Sequence, residues 1–396
     1  MQNRLQQFRS EIEKELIDNI LPFWSNKMPD EDNGGFYGQI TGKDEIIPKA
    51  HKGSVLNARI LWTFSAAYRI YKNPDYLVIA TRARNYIIDH FIDKKFGGVY
   101  WLLDYKGNPV ETKKQIYAQG FAIYGLSEYY RVTGDTEALN HAIELYRLIE
   151  KHSFDTEKNG YLEAFTEDWQ PIADMRLSEK DANEQKTMNT HLHILEPYSN
   201  LYRVWKNDSL KSQLKNLIEV FLDKIIDTQT GHLRLFFDAD WNDKSRSVSF
   251  GHDIEASWLL YEAALVLNDA EVLEKVKKIV PRIVKASEEG LQLDGSMMYE
   301  KDINTGHEDK ERHWWVQGET VIGFLNHYQY FGDEKSSQIA MNCWDYINNN
   351  LIDRTNGEWF WSIYTNGSVN HNDDKAGIWK CPYHNGRMCL EVIERF

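Results

Sequence analysis

The sequence is short of cysteine and of long apolar runs. Its three cysteines are odd in number and none forms a CxxC pair: Cys343, Cys381 and Cys389. This argues against a disulfide framework and against a thiolate zinc site. No uncharged apolar run approaches the roughly 18 residues that a membrane span needs. The polar start MQNRLQQFRSEIEKEL lacks the apolar core of a signal peptide, so we expect a cytoplasmic protein.

The signature loops of several enzyme classes are also missing. The sequence contains no GxGxxG loop opening a helix, no GxxxxGK[ST] phosphate loop and no GxSxG nucleophile elbow. Hydride transfer and phosphoryl transfer are therefore poorly supported. It has no HExxH motif, no cysteine cluster and no dense group of acidic residues. We expect neither a cofactor nor a catalytic metal.

Net charge and aromatic content narrow the choice of partner. The formal charge is -14, and a diffuse negative surface repels phosphate backbones and anionic lipids. We expect no nucleic acid and no membrane partner. Aromatic residues make up 13% of the chain, with 13 Trp and 22 Tyr. Most must fill the core, but many stand beside Gly, Asn and His in apparent loops, where aromatic faces can stack on sugars. A carbohydrate pocket is the class that this pattern favours.

Six glycine turns divide the chain at intervals of 62 to 71 residues: Gly35, Gly98, Gly160, Gly231, Gly295 and Gly357. Each glycine precedes a short aromatic or β-branched run, which is typical of a small extended or hairpin segment. A regular period along the whole chain indicates repeat architecture.

Apolar residues at helical spacing fill the segments between the turns. Helices are predicted before the turns near 5–23 and at 76–91, 138–149, 214–226, 272–286 and 339–351, and after them at 55–71, 118–131, 192–205, 254–267, 316–330 and 386–396. Six helical pairs can stack as a solenoid or close as a toroid. The incomplete first and last units favour closure. We predict an all-α fold, an (α/α)6 barrel with short β-hairpins in the loops at one end, and a single catalytic domain over residues 1–396.

In such a barrel the second helix of every pair lines the interior, and all six begin at the same end. The polar and aromatic residues near these helix starts are Arg59, Tyr117, Asn189, His191, His193, His252, Glu255, Trp314, Trp315, Trp379 and His384. Each alone has a plainer explanation, as a helix cap, an ion-pair partner or a core residue. Their convergence from six repeats predicts one pocket.

Histidines suit proton transfer near neutral pH because their unperturbed pKa is about 6.5. Inverting a carbon next to a carbonyl removes a proton from one face and returns one to the other, while donors hold the enediolate oxygen. His193, His252 and His384, with an arginine and an asparagine, meet these needs without a cofactor. Glu255 follows His252 by three residues, and we expect it to orient or polarise that imidazole. His191 and His193 diverge on a helix, so they do not suggest a metal pair.

Four segments, NTHLHILE, FGHDIEASWLL, HWWVQGE and WKCPYHNGR, resemble the cellobiose 2-epimerase branch of the N-acylglucosamine 2-epimerase superfamily. The resemblance covers nearly the whole chain. It implies an (α/α)6 barrel that epimerises C2 of the reducing-end sugar of a β-1,4-linked disaccharide without metal or nucleotide. By matching positions it implies a general acid/base pair in His252 and His384, and a residue supporting the intermediate in His193. It also implies sugar binders at Arg59, Tyr117 and Asn189, and stacking walls at Trp315 and Trp379.

The sequence also allows other functions. An aldose–ketose isomerase or an N-acylglucosamine 2-epimerase would use the same barrel. A glycoside hydrolase needs two opposed carboxylates, for which Glu196, Glu255 and Glu319 are candidates. A non-catalytic sugar-binding module would explain the tryptophans but not the histidines. The choice among cellobiose, lactose and mannobiose is open, and we expect a monomer or a weak homodimer.

Overall fold

The computed structural model describes residues 2–396, and most of them are helical. In chain order the α-helices are α1 Gln2–Glu15, α2 Leu21–Asn26, α3 Ser54–Tyr71, α4 Pro74–Tyr86, α5 Ile116–Thr133, α6 Thr136–His152, α7 Met188–Val204, α8 Asp208–Val220, α9 Phe250–Leu267, α10 Ala270–Ser287, α11 Trp314–Phe331, α12 Glu334–Asn350 and α13 His384–Arg395. A π-helical turn, Leu16–Ile20, joins α1 to α2, so the predicted opening helix is built from three pieces.

The inner helices form a closed ring. Helix α3 packs on α5, α5 on α7, α7 on α9, α9 on α11, α11 on α13, and α13 again on α3. Helices α4, α6, α8, α10 and α12 pack on the outside of this ring. Helix α1 packs against α13, so the first and last segments of the chain together make the sixth helical pair. The predicted (α/α)6 barrel is confirmed.

The inner and outer helices differ in how much of their surface is apolar. Most residues of helix α9 are buried between Phe250 and Leu267, with Leu265 exposed near its end. Helix α10 buries one stripe, including Val272, Val276 and Ile283, and turns its charged residues outward. A helix enclosed by neighbours needs apolar or paired residues all round, whereas an outer helix needs only one apolar face.

Short antiparallel strands tie the starts of the inner helices together. They are β1 Lys52–Gly53, β2 Leu102–Leu103, β3 Pro109–Glu111, β4 Lys114–Gln115, β5 Ala164–Phe165, β6 Lys186–Thr187, β7 Phe236–Phe237, β8 Ser247–Ser249, β9 Glu300–Asp302, β10 Glu308–Asp309, β11 Arg312–His313 and β12 Ser362–Ile363. The strand before an inner helix pairs with a strand of the following repeat, as in β1–β2, β4–β5, β6–β7, β8–β9 and β11–β12.

The strands therefore link neighbouring repeats more often than they form hairpins within one loop, as β2–β3 and β9–β10 do. This pairing gathers the N-termini of the inner helices at one end of the barrel, which we call the mouth. We call the opposite end, where the inner helices finish, the far end.

The six repeat glycines adopt the left-handed conformation, with φ between 61° and 88°. At Gly35 an added Cβ would lie 2.7 Å from the ring of Tyr86, so both the backbone and the packing require glycine there. Aspartate–lysine pairs join several of these turns to the segment before the inner helix: Asp30–Lys52, Asp93–Lys114, Asp155–Lys186 and Asp353–Lys375. The sequence period thus marks a real structural unit.

The three cysteines are buried free thiols. Among residues 2–396 no helix combines the length and the apolar character that crossing a bilayer requires.

Candidate active site

Equivalent positions on the inner helices point into the barrel interior. The position lies five residues after the start of α3, α5, α7, α9 and α11, and three after the start of α13. The six residues there, which we call the axial ring, are Arg59, Phe121, His193, Glu255, Glu319 and Arg387. All but the phenylalanine are polar or charged, and all are buried. A ring of charges inside a helical barrel is costly unless its members compensate each other.

Arg387 provides much of that compensation. Its Nη2 donates to Oε1 of Glu255 at 2.8 Å and to Oε1 of Glu319 at 2.6 Å. Its Nη1 donates to Glu196, one turn further along α7. Three carboxylates from three helices therefore meet one guanidinium on α13.

The same contacts set the carboxylate pKa values. Burial alone would raise the pKa of Glu196, but Arg387 and then His193 hold it at about 2. Burial and the neighbouring Glu319 raise the pKa of Glu255 well above its usual range. Burial also raises the pKa of Glu319, although Arg387 opposes the shift. The charge of Glu196 is thus favoured, whereas burial opposes the charge of Glu255 and Glu319 and Arg387 offsets this in part.

His384 and His193 each have a carboxylate partner at Nδ1. Nδ1 of His384 lies 2.7 Å from Oε1 of Glu319, and Nδ1 of His193 lies 3.4 Å from Oε2 of Glu196. A carboxylate at Nδ1 fixes the tautomer, orients the ring and stabilises the imidazolium that forms when Nε2 takes a proton. The pair His384–Glu319 thus has the geometry of a general base.

His252 and His384 both lie against the indole ring of Trp315. The ring of Trp315 is 4.7 Å from that of His252 and 5.6 Å from that of His384, centroid to centroid. Burial lowers the pKa of His252 to about 3, with a further contribution from His193. Burial, followed by Arg59 and Arg387, holds the pKa of His384 well below its usual value. At neutral pH both imidazoles are therefore neutral and able to accept a proton.

The expectation that Glu255 orients His252 is wrong. Nδ1 of His252 is bonded to Oγ of Ser249 at 2.7 Å. Glu255 bonds Arg387 through Oε1, and its Oε2 has no partner among the described residues. The reason is the helical rotation over three residues: Glu255 turns inward to the axial ring, whereas His252 stays at the first turn of α9.

Arg59, Tyr117 and Trp379 form a second group beside His193. Nη2 of Arg59 donates to the Tyr117 hydroxyl at 2.7 Å, and its Nη1 donates to the carbonyl of Trp379 at 3.3 Å. The Tyr117 ring stands edge-on to His193 at 4.9 Å and to Trp379 at 6.0 Å. These contacts place the Tyr117 ring and its Arg59 partner beside the imidazole of His193, with the Trp379 ring next to Tyr117.

A cleft of about 700 Å³ opens at the mouth and reaches His252 and Asn189. Oδ1 of Asn189 is buried and has no partner among residues 2–396. Glu163 also lines the cleft, where Thr187 and Thr190 donate to its carboxylate. Burial raises the pKa of Glu163 to about 8. The cleft is large enough for a disaccharide and has polar groups on its walls.

The structure brings the predicted site residues to the mouth, but their roles stay predictions. His191 belongs to the turn instead: its Nε2 accepts from the backbone N–H of Tyr161 at 2.9 Å. Sequence reasoning missed Arg387 and Ser249. Arg387 occupies the axial-ring position only three residues after the start of α13, so counting from the helix starts does not find it. No sequence signal marks Ser249 either.

Glu255, Glu319 and His384 lie close enough together to share a metal ion. The donor set does not fit a divalent cation, because Nη2 of Arg387 already donates to both carboxylates. A second cation at this position would face the guanidinium at short range.

An (α/α)6 barrel with buried imidazoles and carboxylates at its mouth has the architecture of a carbohydrate epimerase or isomerase. The profile of N-acylglucosamine 2-epimerase (GlcNAc 2-epimerase) matches residues 35–386. The cellobiose 2-epimerase of Bacteroides fragilis is 60% identical over 97% of this chain and 98% of that protein.

Solved structures agree with the sequence comparisons. The structure of cellobiose 2-epimerase from Bacillus thermoamylovorans superposes with a TM-score of 0.94 and 43% identity, covering 99% of this chain and 100% of that one. A D-mannose isomerase shares the fold, with a TM-score of 0.85 over 98% of each chain, at 20% identity. The chain belongs to the N-acylglucosamine 2-epimerase family and is a carbohydrate epimerase of the isomerase class.

Proposed function

We propose that this protein epimerises C2 of the reducing-end sugar of β-1,4-linked disaccharides, without a metal or nucleotide. Cellobiose would give glucosyl-mannose, lactose would give epilactose, and mannobiose would give mannosyl-glucose. The observation that carries the proposal is the placement of His252 and His384 on one indole, that of Trp315. Each ring is held at Nδ1, and no described residue bonds Nε2 of either ring. The cellobiose 2-epimerases among the relatives support the choice of substrate class.

The proposed reaction moves one proton off C2 and returns one to the opposite face. The sugar ring opens to the aldehyde, and one of His252 and His384 takes the C2 proton at Nε2. The electron pair of the C2–H bond forms the C1–C2 double bond of a cis-enediolate, and the aldehyde oxygen becomes the oxyanion. The C2–C3 bond then rotates. The other histidine takes up a proton from solvent at Nε2 and delivers it to the opposite face of C2, the aldehyde re-forms, and the first histidine releases its proton to solvent.

The mouth supplies stabilisation for the developing oxyanion. Arg59 and Tyr117 are joined by a hydrogen bond beside His193, and we assign them, with Asn189, to binding the reacting sugar. His193 supports the intermediate or the ring oxygen. Trp315 and Trp379 provide stacking surfaces. The inner helices also direct their N-termini toward the mouth, and each helix N-terminus carries a partial positive charge of about half an elementary charge.

The carboxylates fit hydrolysis less well. Glu196, Glu255 and Glu319 all contact the same guanidinium, that of Arg387. A glycosidase needs two carboxyl groups on opposite sides of the scissile bond. Three acids gathered on one arginine do not give that arrangement.

Incubation with cellobiose and with β-1,4-mannobiose in D₂O, followed by NMR of the products, tests the proposal. We expect the C2 epimer with solvent deuterium at C2. A ketose product would instead indicate an aldose–ketose isomerase, and free monosaccharides would indicate a hydrolase. An epimer without deuterium at C2 would overturn the proton-transfer mechanism. Unchanged rates after dialysis against EDTA are expected, since the proposal uses no metal.

We also propose that residues 1–396 form one catalytic domain. The pairing of α1 with α13 joins the two ends of the chain, so removing either end would break the sixth helical pair. A single cooperative thermal transition is expected, and two separated transitions would contradict it.

A further inference from the structure

The start of helix α9 has an unusual feature. Its N-cap residue is Ser249, a residue type that normally uses its hydroxyl to accept a hydrogen bond from the first turn of its helix. Here the side chain makes no such bond. Its Oγ lies instead 2.7 Å from Nδ1 of His252. Ser249 is thus a favourable capping residue whose hydroxyl contacts an imidazole and not the backbone of its helix.

Loss of the cap has a cost, because a serine cap normally stabilises its helix by accepting a hydrogen bond from a first-turn N–H. By comparison, Thr187 and Asn207 accept bonds from the first turns of α7 and α8. The hydroxyl of Ser249 is therefore used for something other than helix stability.

The backbone holds Ser249 in place from the other side. Ser249 ends strand β8, which pairs with β9 in register, Ser249 opposite Glu300. Strand β9 in turn pairs with β10, so Ser249 is attached to a three-stranded sheet. Its side chain is only 4% exposed. A rigid strand thus fixes the hydroxyl against the imidazole ring.

The three site histidines differ in the group that lies at Nδ1. His193 and His384 have carboxylates at Nδ1, whereas His252 has a neutral hydroxyl. A hydroxyl can accept the Nδ1 proton, but it adds no full negative charge. The charged and titratable groups that influence His252 from other elements are His193 on α7 and Glu319 on α11. Ser249 can therefore set the tautomer of His252 without raising its basicity as a carboxylate would.

We propose that Ser249 is a positioning residue for His252. Its Oγ accepts the Nδ1 proton and so keeps the lone pair on Nε2, the nitrogen directed to the sugar. The inference rests on the proposed function, since it assigns His252 to proton transfer at C2.

The first test measures the tautomer directly. In protein labelled with ¹⁵N-histidine, the nitrogen shifts of His252 report which nitrogen carries the proton, and His252→Asn identifies its signals. We expect a single Nδ1–H tautomer in the wild-type protein and a mixture in Ser249→Ala. An Nε2–H tautomer in the wild-type protein would overturn the inference, since Ser249 would then be the donor. This readout does not depend on which sugar is the substrate.

The second test uses cellobiose kinetics. We expect Ser249→Ala to lower kcat by about 10- to 100-fold, the usual cost of removing a group that orients a functional imidazole. KM should change little, because the hydroxyl faces the imidazole and not the sugar. Ser249→Thr keeps the hydroxyl and should restore most of kcat. Ser257→Ala is the matched control: it lies on the same helix, is buried, and bonds only the carbonyl of Ile254.

The outcomes separate the inference from the proposed function. If wild-type protein does not epimerise cellobiose, the proposed function fails, and the tautomer measurement still decides the role of Ser249. If wild-type protein is active and Ser249→Ala keeps kcat, the inference fails alone. If Ser249→Ala does not fold, Ser249→Thr and the wild-type tautomer carry the test. An equal loss of kcat in Ser257→Ala would point to general destabilisation and overturn the inference.

Discussion

The two ends of the barrel use the same six inner helices but treat charge differently. At the far end a cavity of about 360 Å³ is lined by four arginines and four glutamates. Every one of these charges has an opposite partner: Arg69 with Glu128 and Glu394, Arg131 with Glu128, Arg203 with Glu262, and Arg395 with Glu391. The far end is thus a balanced network of ion pairs.

At the mouth, some buried polar groups lack a hydrogen-bond partner. Oδ1 of Asn189 and Oε2 of Glu255 have no partner among the described residues, and Glu163 is held by neutral donors alone. Buried polar groups are normally hydrogen-bonded, so these oxygens point to a ligand that completes them. The far end also has buried atoms that no described residue bonds, Nε1 of Trp62 and Nδ2 of Asn326. Buried charges are present at both ends of the barrel, so they do not identify the active site. Unsatisfied polar groups beside imidazoles do identify it.

The largest effect is expected from the imidazoles of the mouth. His384→Asn should lower kcat on cellobiose by about 10²–10⁴-fold, because it removes an acid/base group. His252→Asn should do the same. A loss below about tenfold would place that residue outside the proton-transfer step. His327→Asn is the far-end control, since its Nδ1 also bonds a serine hydroxyl, Ser336 at 2.9 Å, and its kcat should match wild type.

The next effect concerns stability at the mouth. Arg387→Leu would leave Glu196, Glu255 and Glu319 without their shared guanidinium. Breaking a buried ion pair from one side typically costs about 3–5 kcal/mol, and chemical denaturation would measure the loss. A variant as stable as wild type would mean that the carboxylates are neutral and need no cation.

Much of this difference between the mouth and the far end could not be predicted from the sequence. The fold was predictable because both periods, the helical one and that of the glycine turns, are local and repeated. Residues at helix starts, such as His252 and His384, could be placed at the mouth by counting from those turns.

The hydrogen-bond partners of the site residues could not be predicted by counting from the glycine turns. Glu255 was expected beside His252 because the two are one helical turn apart. Ser249 instead bonds Nδ1 of His252. Arg387, on another helix, bonds Oε1 of Glu255. Arg387 and Glu196 are joined across the barrel from helices far apart in sequence. Such contacts depend on side-chain directions in the assembled ring, which no spacing rule supplies.

A smaller effect is expected at the far end. Arg69→Leu removes the partner that bonds Glu128 at 2.7 Å and also Glu394. Hydrogen bonds to charged groups contribute about 1.5–3 kcal/mol each, but Glu128 keeps Arg131 at 3.4 Å, so the loss should be smaller than for Arg387→Leu. The kcat on cellobiose should not change. A drop in kcat without a drop in stability would show that the far end is coupled to the mouth.

The smallest effect is a shift in how stability depends on pH. Glu150 accepts hydrogen bonds from the hydroxyls of Tyr161 and Tyr198, without a cation, and burial raises its pKa to about 7. A carboxyl whose pKa is higher in the folded state holds a proton that the unfolded chain has released. It therefore stabilises the fold at low pH and loses that contribution as the pH rises from about 4.5 to about 7.

Glu150→Gln keeps a carbonyl acceptor for both hydroxyls but cannot ionise. Its melting temperature should consequently fall less than that of wild type between roughly pH 5 and pH 8. Glu144→Gln, an exposed site on the same helix, is the control and should follow wild type. Identical slopes for Glu150→Gln and wild type would mean that Glu150 ionises in the folded state at little cost.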